Sequence, residues 1–320
     1  MDAKKPTLIL NPVAGPVWRR GRARRLIEHL KTLYPNLTVH PTNRAGDGEH
    51  LARTLSSGSH DLILAAGGDG TYHEVINGMR GSSVPLGILP MGTGNSLIRE
   101  LGLPTNPLKA ATAIRNGAAR PIYLGQIDPA STASERGRLH PALPVEGATR
   151  APTIDHRLFI LMVGAGFDAS IVRSVPPGRK RLGMLAYMLA GIIQLFRYDY
   201  STVTFRVDGR EVKGTSGIVA KARCYGGPFA IVPHVRLDHP ELVLCLFKGR
   251  GPITYMKYTL GVITGLHHRM KDVEFHSGRT IEIESPVPLQ ADGEAIGIAP
   301  ARLTIVPQTL NLVFPATIHH

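Results

Sequence analysis

Cysteines, apolar leader segments and long hydrophobic runs are scarce in this sequence. The only two cysteines, Cys224 and Cys245, lie in apolar strand-like runs, so we expect core thiols in a reducing cytoplasm rather than a disulfide framework. Residues 1–6 are polar and lack the apolar core of a signal peptide. The longest apolar run, residues 182–196, is shorter than the roughly 20 residues of a membrane-spanning helix. Its flanking cations suit a bilayer surface, but a short apolar helix of this kind is more often core, which is the interpretation favoured here.

Acidic residues are outnumbered by basic ones. The chain has 37 Lys and Arg against 24 Asp and Glu, a formal net charge of +13. A field of this sign attracts nucleic acid, nucleotides or acidic lipid surfaces. No aromatic residues interleave with the basic clusters at residues 19–25 and 173–181, so nucleic acid is not an expected partner. A solvated basic face and peripheral association with an anionic membrane remain as equal alternatives.

Several familiar site motifs are also missing. The sequence contains neither a P-loop nor the Gly-x-Gly-x-x-Gly dinucleotide fingerprint. His267, His268 and His276 have no nearby cysteine and lack zinc-helix spacing, so they are expected at the surface or at helix ends.

The first 120 residues repeat a unit made of a buried strand, a small-residue loop and a helix. The two clearest units comprise residues 61–66, 67–70 and 71–79, followed by residues 84–89, 91–95 and 96–101. Thr71 and Glu74 have capping-box spacing, which predicts a helix start directly after the glycines. This alternation predicts an α/β domain with a parallel, doubly wound sheet that binds ligands at the carboxyl ends of its strands.

Beyond residue 129 the pattern changes. A stretch rich in Pro, Gly, Ser and Arg at residues 129–156 predicts an inserted surface loop, and short strand-like runs follow, interrupted by helices near residues 182–196 and 253–266. We therefore predict a nucleotide-binding domain at residues 1–123, with the tail 308–320 packed back on it. Residues 124–307 are predicted to form a β-rich antiparallel domain that binds the second substrate.

The two glycine-rich loops predict phosphate binding. Such a turn lets backbone amides approach phosphate oxygens, and the following helix N-terminus adds favourable partial charge. Asp69 lies among the glycines, where it would repel a bare phosphate but would help to hold Mg²⁺ bridging phosphate oxygens. A metal–nucleotide complex is therefore the expected ligand.

An ordered set of motifs resembles the diacylglycerol kinase catalytic domain superfamily, which includes bacterial diacylglycerol kinases and sphingosine kinases. The motifs are Asn11-Pro12 with Gly15, Thr42 with Gly46-Asp47, Gly67-Gly68-Asp69-Gly70-Thr71, Asn77-Gly78, Gly92-Thr93-Gly94-Asn95, Gly164-Ala165-Gly166-Phe167-Asp168 and Asp292-Gly293-Glu294. The resemblance covers nearly the whole chain. It implies a phosphofructokinase-like nucleotide domain, a β-rich lipid domain and an active site in the cleft between them.

The resemblance also implies roles for individual residues. Asp292 and Glu294 would activate the acceptor hydroxyl, Asp168 would bind substrate, and Asp69 would bind Mg²⁺. The residues expected to line ATP are Asn11, Thr42, Gly67, Gly68, Asp69, Gly70, Thr71, Tyr72, His73, Gly92 and Thr93. The implied activity is an ATP-dependent lipid kinase of the cytoplasm that associates peripherally with the membrane, and a homodimer is compatible with this function.

Two departures from the family and two other functions stay open. Ser96 stands where bacterial relatives commonly have Asp, and residues 237–242 stand where they often bind a structural Mg²⁺, so no second metal is expected. An NAD kinase shares the Gly-Gly-Asp-Gly-Thr loop, whereas the Asn-Pro and Asp-Gly-Glu motifs argue against it. A non-catalytic nucleotide sensor or membrane-binding protein is disfavoured by the retained carboxylates. Diacylglycerol, a sphingoid base, ceramide and a polyisoprenoid alcohol are all compatible acceptors.

Overall fold

A computed structural model describes residues 3–15, 21–129, 157–175, 184–225 and 229–316. Most of the predicted inserted loop, together with parts of both basic clusters, lies outside the described residues.

The described residues form eight α-helices and eighteen strands. The N-terminal elements are β1 (Pro6–Leu10), α1 (Arg22–Leu33), β2 (Thr38–Pro41), α2 (Asp47–Ser56), β3 (Leu62–Gly67), α3 (Asp69–Gly78), β4 (Leu86–Pro90), α4 (Ser96–Glu100), α5 (Pro107–Arg115) and β5 (Ala118–Pro129). They are followed by β6 (Arg157–Phe159), β7 (Met162–Ala165), α6 (Phe167–Ser174), α7 (Met184–Arg197), β8 (Val203–Val207), β9 (Arg210–Gly214), β10 (Ser216–Ala220), β11 (Cys224–Tyr225) and β12 (Phe229–Ala230). The last elements are β13 (Leu242–Phe247), α8 (Pro252–Thr264), β14 (Val273–Gly278), β15 (Thr280–Ile283), β16 (Pro288–Ala291), β17 (Glu294–Ile298) and β18 (Ala301–Phe314).

The N-terminal domain is built on a parallel sheet in the order β2-β1-β3-β4. All six residues of β3 are buried, which explains why this strand is a continuous apolar run rather than an alternating one. Its helices form two packed pairs, α1 with α5 and α2 with α3. The parallel arrangement brings the carboxyl ends of β1, β3 and β4 to one edge, so the loops that follow these strands are neighbours.

The C-terminal domain is mainly antiparallel. One six-stranded sheet has the order β14-β13-β10-β7-β16-β17. Strands β8, β9 and β15 instead extend the sheet of the N-terminal domain through β18. A core cluster that includes Phe159, Phe205 and Leu244 fills the space between these layers. The predicted fold class, an α/β domain followed by an antiparallel β domain, is thus the one observed.

Strand β18 connects the parallel strands of the N-terminal domain with strands of the C-terminal domain. Near its start β18 pairs with β15, and near its end Leu312 pairs with Leu86 of β4. Strand β5 runs antiparallel to β18 for most of its length, with a register shift between Ile305 and Thr309. The two domains are therefore joined by continuous hydrogen-bonded strands, and β5 passes through the sequence-based boundary at residue 123 without a break.

The start of α3 differs from the prediction. The helix begins at Asp69 with Gly68 as its N-cap, and no side chain caps it. The carboxylate of Glu74 instead accepts hydrogen bonds from the backbone amides of Gly46 and Gly48, at 2.9 and 3.0 Å. The capping-box interpretation was wrong because Glu74 stabilises the start of the neighbouring helix α2, where Gly46 has a left-handed φ of 88°.

The core interpretation of the apolar helix was also wrong for one of its faces. On α7, Ile192 is 56% exposed and Phe196 is 76% exposed. The described helices include none long and apolar enough to cross a membrane. His267 was expected at the surface or at a helix end. Its side chain is fully buried, and its Nε2 lies 2.7 Å from the carbonyl oxygen of Ile231. Cys245 is buried as expected, whereas Cys224 is only half-buried.

Candidate active site

Three loops meet at the carboxyl edge of the parallel sheet. The amides of Met91 and Gly92 donate to the carbonyl oxygen of Gly67, at 2.7 and 2.9 Å. A Cβ added to Gly92 would lie 2.6 Å from the Cα of Gly68, and one added to Gly15 would collide with the carbonyl oxygen of Met91. Because any side chain at these positions would push the loops apart, the glycines are what allow the three loops to share one surface.

The Asn-Pro loop is tied to the glycine loop through side chains. The Nδ2 of Asn11 donates to the hydroxyl of Thr71 at 3.1 Å, and its Oδ1 accepts from the amide of Val13. Thr42, at the end of β2, is buried and its amide donates to the carbonyl oxygen of Leu10. Gly70 is exposed in the first turn of α3, and Thr93 is exposed in the loop after β4. The structure therefore brings Asn11, Thr42 and both glycine loops to one edge.

Asp69 joins the two glycine loops. Its Oδ1 accepts from the amide of Ser96 at 3.0 Å, and a Cβ added to Gly94 would lie 2.7 Å from its Oδ2. Burial raises the pKa of Asp69 to about 6, and the nearby charge of Asp292 adds to this increase while the amides of residues 95–97 oppose it. A positive ion at this carboxylate would remove the electrostatic cost of its charged form. Ser96, the departure from the family pattern, contributes its backbone amide here.

Two predicted nucleotide residues have side chains directed elsewhere. Tyr72 is 1% exposed, and its hydroxyl donates to the carbonyl oxygens of Gly67 and Leu89 in the core. The His73 ring is also buried, with Nε2 2.8 Å from the carbonyl oxygen of Leu158 on β6. These side chains therefore support the loop and attach it to the C-terminal domain, and any nucleotide contact at these two positions would have to come from the backbone.

Asp292 is held entirely by backbone amides. Its Oδ1 accepts from Leu161 and Met162, and its Oδ2 accepts from Ile160, each at 2.9 Å. The residue adopts a left-handed φ of 49°, which starts the turn between β16 and β17. Three charge-assisted bonds to one carboxylate fix this turn against the segment between β6 and β7. The geometry of Asp292 is that of a residue that positions the turn.

Glu294 faces the start of α3, beside the predicted phosphate-binding loop. A Cβ added to Gly70 would lie 3.5 Å from its Oε1, and its Oε2 forms an ion pair with Arg157. The guanidinium of Arg157 also lies 3.0 Å from Nδ1 of His73. A chain of three side chains thus runs from the glycine-loop helix to the Asp-Gly-Glu turn. Sequence reasoning missed Arg157 because it follows the patternless loop, where no periodicity identifies a strand.

Asp168 and the Asp-Gly-Glu turn are bridged by a buried amide. Gln290 is fully buried; its Nε2 donates to Asp168 at 2.8 Å and its Oε1 accepts from the amide of Gly293 at 2.8 Å. Burial raises the pKa of Tyr187 on α7, and the charges of Glu294 and Asp168 raise it further, which places this hydroxyl near both carboxylates. Sequence reasoning also missed Gln290 and Tyr187, although Gln290 lies only two residues before the recognised motif.

The donor set at this edge suits a metal–nucleotide complex. Among the described residues no group of three or more His, Cys, Asp or Glu side chains is arranged to hold a metal. Mg²⁺ commonly uses only one or two carboxylates and completes its coordination with phosphate oxygens and water. Asp69 supplies such a carboxylate, and the buried Oδ1 of Asn95 has no hydrogen-bond partner within the described structure. The residues present therefore fit Mg²⁺ that arrives with a nucleotide.

Residues 237–242, which stand where bacterial relatives often bind a structural Mg²⁺, adjoin a buried lysine. Lys221 is fully buried, and its Nζ donates to the carbonyl oxygens of Arg236 and Leu237 at 2.5 and 3.2 Å. Burial lowers the pKa of Lys221 to about 8, while the charges of Asp238, Glu241 and Glu100 oppose that decrease. This segment of the C-terminal domain therefore already contacts a cation supplied by the chain.

Comparison with known proteins agrees with this geometry. The model of the diacylglycerol kinase catalytic domain matches residues 5–127, and the model of the YegS C-terminal NAD kinase beta sandwich-like domain matches residues 161–314. The chain is 26% identical over 320 residues to a protein named diacylglycerol kinase from Bacillus subtilis (strain 168), covering 98% of this chain and 97% of the relative. It is also 26% identical over 318 residues to a diacylglycerol kinase of Mycobacterium tuberculosis (strain ATCC 25618 / H37Rv), covering 97% and 95%.

A solved structure has the same fold throughout. The crystal structure of a diacylglycerol kinase from Bacillus anthracis str. Sterne superimposes with a TM-score of 0.73 at 23% identity and covers 98% of each chain. The two family models together span most of the sequence, in the order in which the glycine loops and the Asp-Gly-Glu turn occur. This chain therefore contains a diacylglycerol kinase catalytic domain at residues 5–127, followed by a YegS C-terminal NAD kinase beta sandwich-like domain at residues 161–314.

Proposed function

We propose that this protein is an ATP-dependent lipid kinase that transfers the γ-phosphate of Mg-ATP to a hydroxyl group of a membrane lipid, such as diacylglycerol or a sphingoid base. The family of the chain supports the kinase class. The observation that carries the proposal is the approach of Glu294 to Gly70, since it puts a carboxylate from the C-terminal domain beside the predicted phosphate loop.

The two carboxylates of the Asp-Gly-Glu turn have different roles in this proposal. Asp292 already accepts three backbone amides, so it positions the turn rather than taking a proton. Glu294 faces the loop and accepts the proton of the lipid hydroxyl as the hydroxyl oxygen attacks the γ-phosphorus of ATP. The bond from that phosphorus to the oxygen that bridges to the β-phosphate breaks, and ADP leaves. Arg157 and His73 orient Glu294 from the side of the N-terminal domain.

The remaining predicted residues hold the two substrates. The amides of Gly67, Gly68, Gly70, Gly92 and Thr93 would contact the nucleotide, with Asn11, Thr42 and Thr71 completing that edge. Asp69 would ligate Mg²⁺, which neutralises phosphate charge during transfer. Asp168, fixed by Gln290, would bind the polar end of the lipid.

The setting proposed for this reaction is the cytoplasmic surface of a membrane. A net charge of +13 favours anionic over neutral bilayers, and the attraction should weaken as salt screens it. The lipid acceptor reaches the enzyme only at such a surface.

A second candidate acceptor is NAD. The description of the matching C-terminal model names an NAD kinase-like β sandwich, and the Gly-Gly-Asp-Gly-Thr loop is compatible with that chemistry. The two candidates share the nucleotide site and differ only in what enters beside Glu294.

One assay separates the candidates. The purified chain is incubated with γ-labelled ATP, Mg²⁺ and, in parallel, mixed micelles of diacylglycerol, sphingosine, ceramide or a polyisoprenoid alcohol, and NAD. We expect label in one lipid and none in NAD, and no label in any lipid with Asp69→Asn. Label in NAD alone would replace the proposal with the NAD kinase function, and nucleotide binding without transfer to any acceptor would identify a sensor.

A further inference from the structure

Exposed apolar side chains are concentrated on one surface. Of the eleven large hydrophobic side chains exposed in the described residues, ten lie on or directly after α7 and α8. We call this surface the α7–α8 face; it comprises Met188, Leu189, Ile192, Ile193, Phe196, Ile253, Met256, Leu260, Ile263 and Leu266. A soluble surface rarely concentrates its apolar residues in this way unless the patch contacts something.

The face follows from helices that are apolar on two sides. On α7 the inner residues Ala186 and Ala190 pack against Val175, and on α8 the buried inner residues include Tyr255 and Tyr258. The outer residues recur at spacings of three and four, so each helix presents a continuous stripe to solvent. The two helices contact each other, which merges the stripes into one face.

The charged residues on the two helices are all positive, and the first acidic residues after the helices are Asp199 and Asp272. Neither residues 182–198 nor residues 248–271 contain an aspartate or a glutamate. The exposed side chains of Arg197, Arg250, Lys257, Arg269 and Lys271 lie on or beside the two helices. An apolar stripe bordered by cations matches the chemistry of a leaflet with acyl chains below anionic headgroups.

The same helices connect this face to the candidate active site. Helix α7 packs against α6, and α6 has Asp168 in its first turn. Tyr187 of α7 is half-buried against the inner cluster of Val175, Ala186 and Ala190, and the charges of Glu294 and Asp168 add to the rise in its pKa that burial causes. One helix thus separates the outer apolar surface from the proposed acceptor site.

We propose that the α7–α8 face is a docking surface for an anionic bilayer. The apolar stripe of this face inserts below the lipid headgroups, and this insertion places the acceptor site against the leaflet. A second copy of the chain fits less well, because a twofold contact would bring the cations of the paired helices together, and neither α7 nor α8 carries an acidic residue to pair with them. The docking stands on its own observations; only the delivery of a lipid to Glu294 rests on the proposed function.

Vesicle sedimentation tests the docking without any catalytic readout. Wild-type protein is compared with Ile193→Glu/Leu260→Glu and with Thr54→Glu, which adds one negative charge to an exposed position on α2. The vesicles contain either phosphatidylcholine alone or equal parts of phosphatidylcholine and phosphatidylglycerol. We expect the double variant to lose about 100-fold in partitioning to the anionic vesicles and the Thr54→Glu control to match wild type. Lys257→Gln should lose about fivefold at low salt.

A second readout separates docking from catalysis. Each variant is assayed with a short-chain lipid that is soluble as a monomer, and the double variant is expected to phosphorylate it at the wild-type rate. If no variant acts on the short-chain lipid, the proposed function fails while sedimentation still decides the docking. Unchanged sedimentation of the double variant would overturn the docking, as would a wild-type dimer that becomes monomeric on the same substitutions.

Discussion

The two walls of the candidate active site are built by different means. The wall of the N-terminal domain is made by missing side chains, since Gly15, Gly68 and Gly92 let three loops touch through their backbones. The wall of the C-terminal domain is made by charged side chains, with Asp292 holding backbone amides and Glu294 pairing with Arg157. We therefore expect the N-terminal wall to be disrupted by substitutions that add a side chain, and the C-terminal wall to be disrupted by substitutions that remove a charge.

The largest effect is expected from the carboxylate that faces between the walls. Glu294→Gln keeps the size of the side chain but removes the proton acceptor, so kcat should fall by about 10² to 10⁴-fold. The affinity for ATP, measured by calorimetry, should change little because the glycine loops are untouched. If turnover survives, the base lies elsewhere and Asp69 is the next candidate.

A buried charge in the C-terminal domain should give pH-dependent stability. Because the folded pKa of Lys221 is lowered to about 8 from 10.5, the unfolded chain binds more protons between these values, so its contribution to stability rises with pH across that window. The full rise is on the order of 3 kcal/mol. Urea unfolding at pH 7.5 and pH 10 should show the rise in wild type but not in Lys221→Met; equal changes in both would contradict the assignment.

Asp292 provides a sharper contrast with Glu294. Asp292→Asn leaves one acceptor oxygen and turns an amide group toward backbone donors, which should lower the free energy of unfolding by about 1 to 3 kcal/mol. Thermal unfolding measures this loss, and Glu294→Gln is the matched control because the carboxylate of Glu294 pairs with the side chain of Arg157. Equal stability of the two variants would argue against a positioning role for Asp292.

The smallest effect is expected from one added methyl group in the glycine wall. In Gly92→Ala the new Cβ would meet the backbone of Gly68, so the loops must separate and ATP affinity should fall by about tenfold. Gly21→Ala is the control, since a Cβ there meets nothing within 4 Å. Unchanged ATP affinity in Gly92→Ala would show that the contact between the loops does not shape the nucleotide site.

The difference between a wall built from local glycine patterns and one built from contacts between distant residues also explains which features the sequence predicted well. The glycine loops, Asp69 and the Asp-Gly-Glu turn are local patterns, and a strand such as β13 can be recognised because it is a continuous apolar run whose residues are all buried. The roles within the turn were not predictable, because the amides that Asp292 binds come from residues 160–162, far away in the chain. The outer face of α7 escaped prediction for a related reason, since composition does not reveal which side of an apolar helix is covered.

Strands β5 and β18 have a mechanical consequence for the cleft. Two domains joined by a flexible linker can move as rigid bodies about a hinge. Here, two antiparallel strands instead run from one wall to the other as a hydrogen-bonded ribbon. Bending such a ribbon is easiest where its ladder is interrupted, which is the register shift between Ile305 and Thr309. We therefore expect any closing of the cleft to bend the sheet about this point, because the two strands join the walls through their backbones.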